Sequence, residues 1–84
     1  MVVKIVEKTD EFIKIFKKIK DNLLNQKVQK QIIKIIENPE IGKPMMYARK
    51  GTREVYISSL RLSCLYSKEE GKIIFLDLYH KDEQ

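Results

Sequence analysis

The spacing of apolar residues changes character partway along the chain. Val2 to Val6 (VVKIV) is short, β-branched and apolar, which predicts a strand. Thr9 and Asp10 then offer side-chain oxygens suited to capping a helix. Phe12, Ile15, Phe16, Ile19 and Leu23 follow at the i, i+3, i+4, i+7, i+11 spacing of one helical face. Together they predict a first helix over about residues 10–21. A second amphipathic stretch begins after Asp21-Asn22, with Val28, Ile32, Ile35 and Ile36 on one side and Lys27, Lys30, Gln31 and Lys34 on the other. It stops at Asn38-Pro39, because the residue before a proline is pushed out of helical geometry. The two helices are expected to form an antiparallel hairpin whose shared apolar face needs a sheet to cover it.

Asn38 to Pro44 (NPEIGKP) holds both prolines and reads as a linker. Beyond it the period shortens to two. Met46 to Lys50 predicts a short strand, Arg53 to Ile57 and Leu60 to Ser67 two more around a Ser58-Ser59 turn, and Lys72 to His80 the last, after a Glu69-Glu70-Gly71 turn. Strands segregated from helices define an α+β fold: an N-terminal strand, a helical hairpin, then a four-strand antiparallel segment. In Leu60 to Ser67 the even positions are apolar, so Arg61 should point away from the helices. Lys72 to His80 carries apolar groups on both sides, which predicts the central strand of the sheet.

Composition narrows the class. The 84 residues make one domain, above the roughly 40 below which disulfides or metals are usually needed. The longest apolar runs, such as IIFL, fall far short of the about 20 residues of a membrane span, and MVVKIVEKTDE lacks a signal-peptide layout. A cytoplasmic protein with no membrane partner is expected. Cys64 is the single cysteine and reads as a small buried hydrophobe. One histidine, one cysteine and no clustered carboxylates exclude the usual zinc sites, and no Gly-rich phosphate loop is present. Chemistry without metal or cofactor is what remains, with a Cys-His pair possible only if Cys64 and His80 meet.

The charge is unevenly placed. Lys43, Arg49, Lys50, Arg53, Arg61 and Lys68 face only Glu54 within residues 43–68, which accounts for the whole net charge of +5. If that segment forms one face, it sets up a positive field that attracts phosphates. All three arginines lie there, and a guanidinium grips a phosphate bidentately where lysine offers a point charge. Arg53 and Arg61 are thus candidates for a phosphodiester, with Arg49 and Lys50 beside them. A salt bridge from Arg61 to Glu54 or Asp77 across the sheet is the structural alternative. His80 has the one side chain that titrates near neutrality and is the candidate proton carrier. Tyr47, Tyr56, Tyr66 and Tyr79 can stack on bases, with Tyr79 the expected exposed ring and Tyr66 the expected core one. Lysines 14, 17, 18, 27, 30 and 34 read as solvating faces of the helices.

With this element order in hand, the chain resembles the RelE/ParE superfamily of toxins from toxin-antitoxin pairs. The likeness is clearest over IGKPMMYARKGTREVYISSLRLSCLY. Ile41-Gly42-Lys43-Pro44-Met45 is similar to the family's linker, Lys50-Gly51-Thr52-Arg53 and Ser58-Ser59-Leu60-Arg61-Leu62 to its hairpin, and His80-Lys81 to its closing basic motif. Leu60 stands where relatives usually carry tyrosine, and Tyr56 at a position that is often basic.

The resemblance implies a RelE-like endoribonuclease that cuts mRNA in the ribosomal A site without a metal, held in check by a cognate antitoxin. It implies Arg61 on the scissile phosphate, Arg53 as a second charge stabiliser, His80 in proton transfer, Lys81 on phosphate, and Arg49, Lys50 and Tyr79 as RNA contacts. Several relatives carry a catalytic tyrosine in a C-terminal extension, for which Tyr79 is the stand-in here. A ParE-like DNA gyrase inhibitor and an inactive member that only binds antitoxin or ribosome remain as the other two readings, since they share the fold.

Overall fold

Thr9 does two jobs that decide how the helices meet the sheet. In the computed structural model, which describes residues 3–45 and 49–80, its hydroxyl accepts the Phe12 N–H at 3.1 Å and donates to the Leu76 carbonyl at 2.5 Å. The first bond caps helix α1 (Asp10–Lys17) and the second ties it to the last strand. Val2, Tyr47, Lys81 and most of the strand expected over Met46 to Lys50 lie outside the described residues.

The chain runs β1 (Ile5–Lys8), α1, α2 (Asn22–Glu37), β2 (Lys43–Pro44), β3 (Thr52–Ile57), β4 (Leu60–Ser67) and β5 (Lys72–His80). The sheet order is β1-β5-β4-β3-β2, with β1 parallel to β5 and every other pair antiparallel. This is the expected α+β arrangement; β4 rather than β5 is the central strand, because the parallel strand β1 adds only one strand beyond β5, which is nonetheless paired on both sides. Three boundaries differ from the sequence reading. Strand β1 starts later, because Gly71 O takes the Lys4 and Ile5 N–H groups and pairing begins there. Helix α1 ends at Lys17 rather than near residue 21, because the Asp21 carboxylate accepts the Leu23 and Leu24 N–H groups and starts α2 afresh. The edge strand forms inside the expected linker, at Lys43–Pro44, while Arg49 and Lys50 sit in the turn before β3.

The helices pack on one face of the sheet, α1 over β5 and α2 against β3. Phe12 lies against Phe75 with ring centroids 5.6 Å apart, and Val28 and Ile35 bring α2 onto Ile57, Leu60, Leu62 and Leu78. Burying each such side chain contributes about 1.5–3 kcal/mol. Tyr66 packs against this core, as expected.

One irregularity controls the sheet's other face. Cys64 pairs with Phe75 but Ser63 pairs with Asp77, so Leu76 is an extra residue, a β-bulge. Ile73 and Phe75 point to the core; without the bulge Asp77 and Tyr79 would do so too. The bulge reverses the phase, so Leu78 enters the core and Asp77 and Tyr79 turn to the opposite face. Thr9, holding the Leu76 carbonyl while its own N–H bonds Phe75 O at 3.0 Å, is the bulge's anchor.

Thr9→Ala removes both the cap and the bulge tie. It should lower stability by about 1–2 kcal/mol in urea unfolding, whereas Thr9→Ser should restore most of it.

Candidate functional site

The β3–β4 hairpin turns at Ser58-Ser59, with Ser58 in the left-handed region at φ 54°, and pairs Tyr56 with Arg61 and Glu54 with Ser63. On the other flank of β4, Arg61 pairs with Tyr79 and Ser63 with Asp77. Two cross-strand rows therefore lie side by side on the face away from the helices: Tyr56, Arg61 and Tyr79, then Glu54, Ser63 and Asp77. Arg61 points away from the helices, as its alternation requires.

Glu54 organises this cluster. It is only 8% exposed, and its carboxylate has a different partner on each oxygen. Arg61 Nη1 lies 3.6 Å from Oε1, and the Tyr79 hydroxyl donates to Oε2. The Arg61 guanidinium also sits over the Tyr56 ring, 4.8 Å from its centroid. Arginine, carboxylate and two tyrosines on three adjacent strands thus fix one another, and the guanidinium is oriented before any ligand arrives. Burying a carboxylate is costly unless it is paired and hydrogen-bonded, which explains why both oxygens are used. Tyr79 is partly buried in this contact, while Tyr56 is 56% exposed; the ring open to solvent is Tyr56, not the expected Tyr79.

The other candidates are distributed. Arg53 pairs with Cys64 and so projects from the helix side of β3, opposite to Arg61. Its Nη1 donates to the carbonyls of Gly42 (2.7 Å) and Glu40 (3.1 Å), and Nη2 lies 4.0 Å from the Glu40 carboxylate. It ties the loop before β2 to the sheet. His80 pairs with Leu60 and so projects from the helix side of β5, at the same end of the sheet as Arg61 but on the opposite face; its side chain is exposed. Arg49 and Lys50 lie at the far end of the hairpin, about 20 Å from Arg61 at strand rise. There they line a cleft of about 480 Å³ with Lys68 and Lys72. The positive segment therefore does not form one face: Arg61 shares its face with Glu54 and Asp77. Lys81 lies outside the described residues.

Cys64 is buried, and burial pushes its thiol up to about 11, with the Arg53 charge opposing this in part. It stands four strand residues from the Leu60–His80 pair, about 13 Å away at strand rise, so no Cys-His pair forms. Among the described residues no group of three or more His, Cys, Asp or Glu side chains is placed to hold a metal ion, and no helix is long and apolar enough to cross a membrane.

The Arg61–Glu54 salt bridge, the structural alternative in the sequence, forms; what the sequence reading missed is the burial of Glu54, its bond from Tyr79, and Tyr56 as the open ring. The hairpin signal was sufficient for Tyr56: a Ser58-Ser59 turn sets Tyr56 opposite Arg61. Nothing in the sequence marked Glu54 as buried.

This strand order and helical layer define the fold of RelE-type toxins. The isolated E. coli RelE toxin superposes with a TM-score of 0.79 at 12% identity, covering 95% of this chain and 86% of that one. A chain of the RelBE2 toxin-antitoxin complex from Mycobacterium tuberculosis gives 0.72 at 21% identity, covering 92% and 96%. A chain of the archaeal RelE-RelB complex from Pyrococcus horikoshii gives 0.76 at 10% identity, covering 100% of both. No protein-family profile matches the chain, and no curated protein matches it in sequence.

Tyr79→Phe leaves one oxygen of a buried carboxylate without its donor and should cost about 1.5 kcal/mol in denaturant unfolding. Cys64 should react with a thiol reagent at pH 8 only at the rate of unfolding; a fast stoichiometric reaction in the folded protein would contradict its burial.

Proposed function

We propose that the protein is the toxin of a toxin-antitoxin pair and a metal-independent endoribonuclease that cleaves mRNA in the ribosomal A site. The observation that carries this reading is Arg61, whose guanidinium is held in place by Glu54 and Tyr56 on a sheet face of the RelE toxin fold. In the proposed reaction the ribose 2′-oxygen attacks the adjacent phosphorus as its proton leaves to a base. The bond from phosphorus to the 5′-oxygen breaks, and that oxygen takes up a proton. The products are a 2′,3′-cyclic phosphate and a 5′-hydroxyl. Arg61 stabilises the charge that builds on the non-bridging oxygens, where pre-set donors are most effective. His80, exposed at the end of β5 on the face opposite Arg61, is the proposed proton carrier, reaching the phosphate around the strand end, and Lys81 is a proposed phosphate contact. Arg49 and Lys50 serve the RNA at a distance. Tyr79 and Glu54 position Arg61, and Arg53 acts through the loop it holds rather than on the scissile phosphate.

The antitoxin is the proposed protein partner, in keeping with structural neighbours that are themselves toxin-antitoxin complexes. The all-exposed edge strand β1 can accept an added strand. The Glu54–Arg61 pair also favours a second reading, an inactive binder, because it offsets the charge a phosphate would need.

In a translating extract, Arg61→Ala should lower mRNA cleavage about 10²–10³-fold while antitoxin binding persists; full cleavage by this variant would remove the assignment. Absence of growth arrest on expression of the native chain would select the inactive binder. His80→Gln should remove one limb of the pH–rate profile, and an unchanged profile would exclude His80 from proton transfer.

A further inference from the structure

The Arg61 cluster lacks the surplus positive charge that an RNA strand needs, and helix α2 supplies it from the side. Lys27, Lys30 and Lys34 recur at i, i+3 and i+7 and so form one ridge about 10 Å long at helical rise. All three are exposed, and among the described residues none is in an ion pair with a carboxylate. Because α2 packs against β3, the ridge stands beside the hairpin turn, where Lys27 Nζ donates to Ser58 Oγ at 3.3 Å. The three lysines, with Gln31, Tyr56 and Ser58, enclose a recess of about 260 Å³. Tyr56 is thus a shared wall: it carries the Arg61 guanidinium, and it borders the lysine recess.

We propose that this recess is a second nucleotide subsite, in which a base next to the scissile phosphate stacks on Tyr56 and its phosphate lies on the Lys27, Lys30 and Lys34 ridge. The proposal rests on the reading of Arg61 as a phosphate grip and extends it by one nucleotide. A row of lysines alone would suit any acidic partner. An exposed aromatic ring that carries an arginine and borders a recess lined by three lysines suits a nucleotide, which offers both a π-face and a phosphate. Gln31, which also lines the recess, carries a donor and an acceptor suited to a base edge.

The test uses the purified protein and a single-stranded RNA hexamer with 2′-O-methyl riboses, which blocks cleavage, carrying one 2-aminopurine. Lys30→Glu/Lys34→Glu should weaken binding at least about tenfold and reduce the slope of log K against log salt by about 1.4, at about 0.7 per single-strand phosphate. Lys14→Glu/Lys18→Glu on α1 makes the same change in total charge and should leave affinity within about threefold, as expected for distant exposed charges. Binding should quench 2-aminopurine fluorescence in the native protein and in Tyr56→Phe but not in Tyr56→Ala. Equal losses from both charge reversals would mean non-specific attraction and overturn the subsite, as would quenching that survives Tyr56→Ala. If Arg61→Ala abolishes cleavage while the α2 reversal leaves RNA binding intact, the subsite fails and the Arg61 reading stands. If neither Arg61→Ala nor the α2 reversal affects RNA, both fail. Loss of antitoxin binding alone in the α2 reversal would assign the ridge to a protein partner and overturn the proposal.

Discussion

A single extra residue in β5 sets which side chains can meet on the sheet face away from the helices. Leu76 interrupts the β4–β5 pairing between the Cys64–Phe75 and Ser63–Asp77 pairs, and the interruption reverses the alternation of everything after it in β5. Before it, Ile73 and Phe75 fill the core; after it, Leu78 does, and Tyr79 is free to reach Glu54 on the far side. A bulge leaves backbone groups unmatched and would be expensive in isolation. Here Thr9 takes the Leu76 carbonyl with the hydroxyl that also caps α1, so the placement of the helix and the phase of the strand are one constraint.

The Glu54 carboxylate turns that phase into a site. It bridges β5 to β4 through Tyr79 and Arg61, while Tyr56 closes the group from β3. The arrangement favours order over raw charge: it holds the guanidinium still, lowering the entropy a ligand must remove, yet it offsets the positive field at the same point. Charge for a polyanion must then come from neighbours. The α2 ridge borders Tyr56, the ring on which Arg61 rests, whereas Arg49, Lys50, Lys68 and Lys72 line a cleft at the other end of the sheet together with Glu69 and Glu70.

Much of this was legible in the residues. The change of period at the NPEIGKP segment separated helices from strands, and the limits of β4 and β5 matched the expected Leu60 to Ser67 and Lys72 to His80. Local hydrogen bonding moved the ends elsewhere: Asp21 split the helices earlier than apolar spacing implied, and Gly71 drew β1 toward Lys8. The separation of Arg53 from Arg61 followed from the turn at Ser58-Ser59, which pairs Tyr56 with Arg61 and leaves odd-numbered β3 residues on the other face. The run IIFLDLY concealed the rest. Apolar residues on both sides read correctly as an interior strand, but they also masked the bulge, and with it the side on which Tyr79 and His80 emerge.

The central claim is that Arg61, and not Arg53, receives the phosphate. It is tested most directly by following arginine side-chain Nε–H resonances by NMR while a 2′-O-methylated RNA trinucleotide is added. The Arg61 signal should shift and sharpen with saturation, together with the Tyr56 ring, while the Arg53 signal stays put against its carbonyl partners. A shift at Arg53 with none at Arg61 would contradict it.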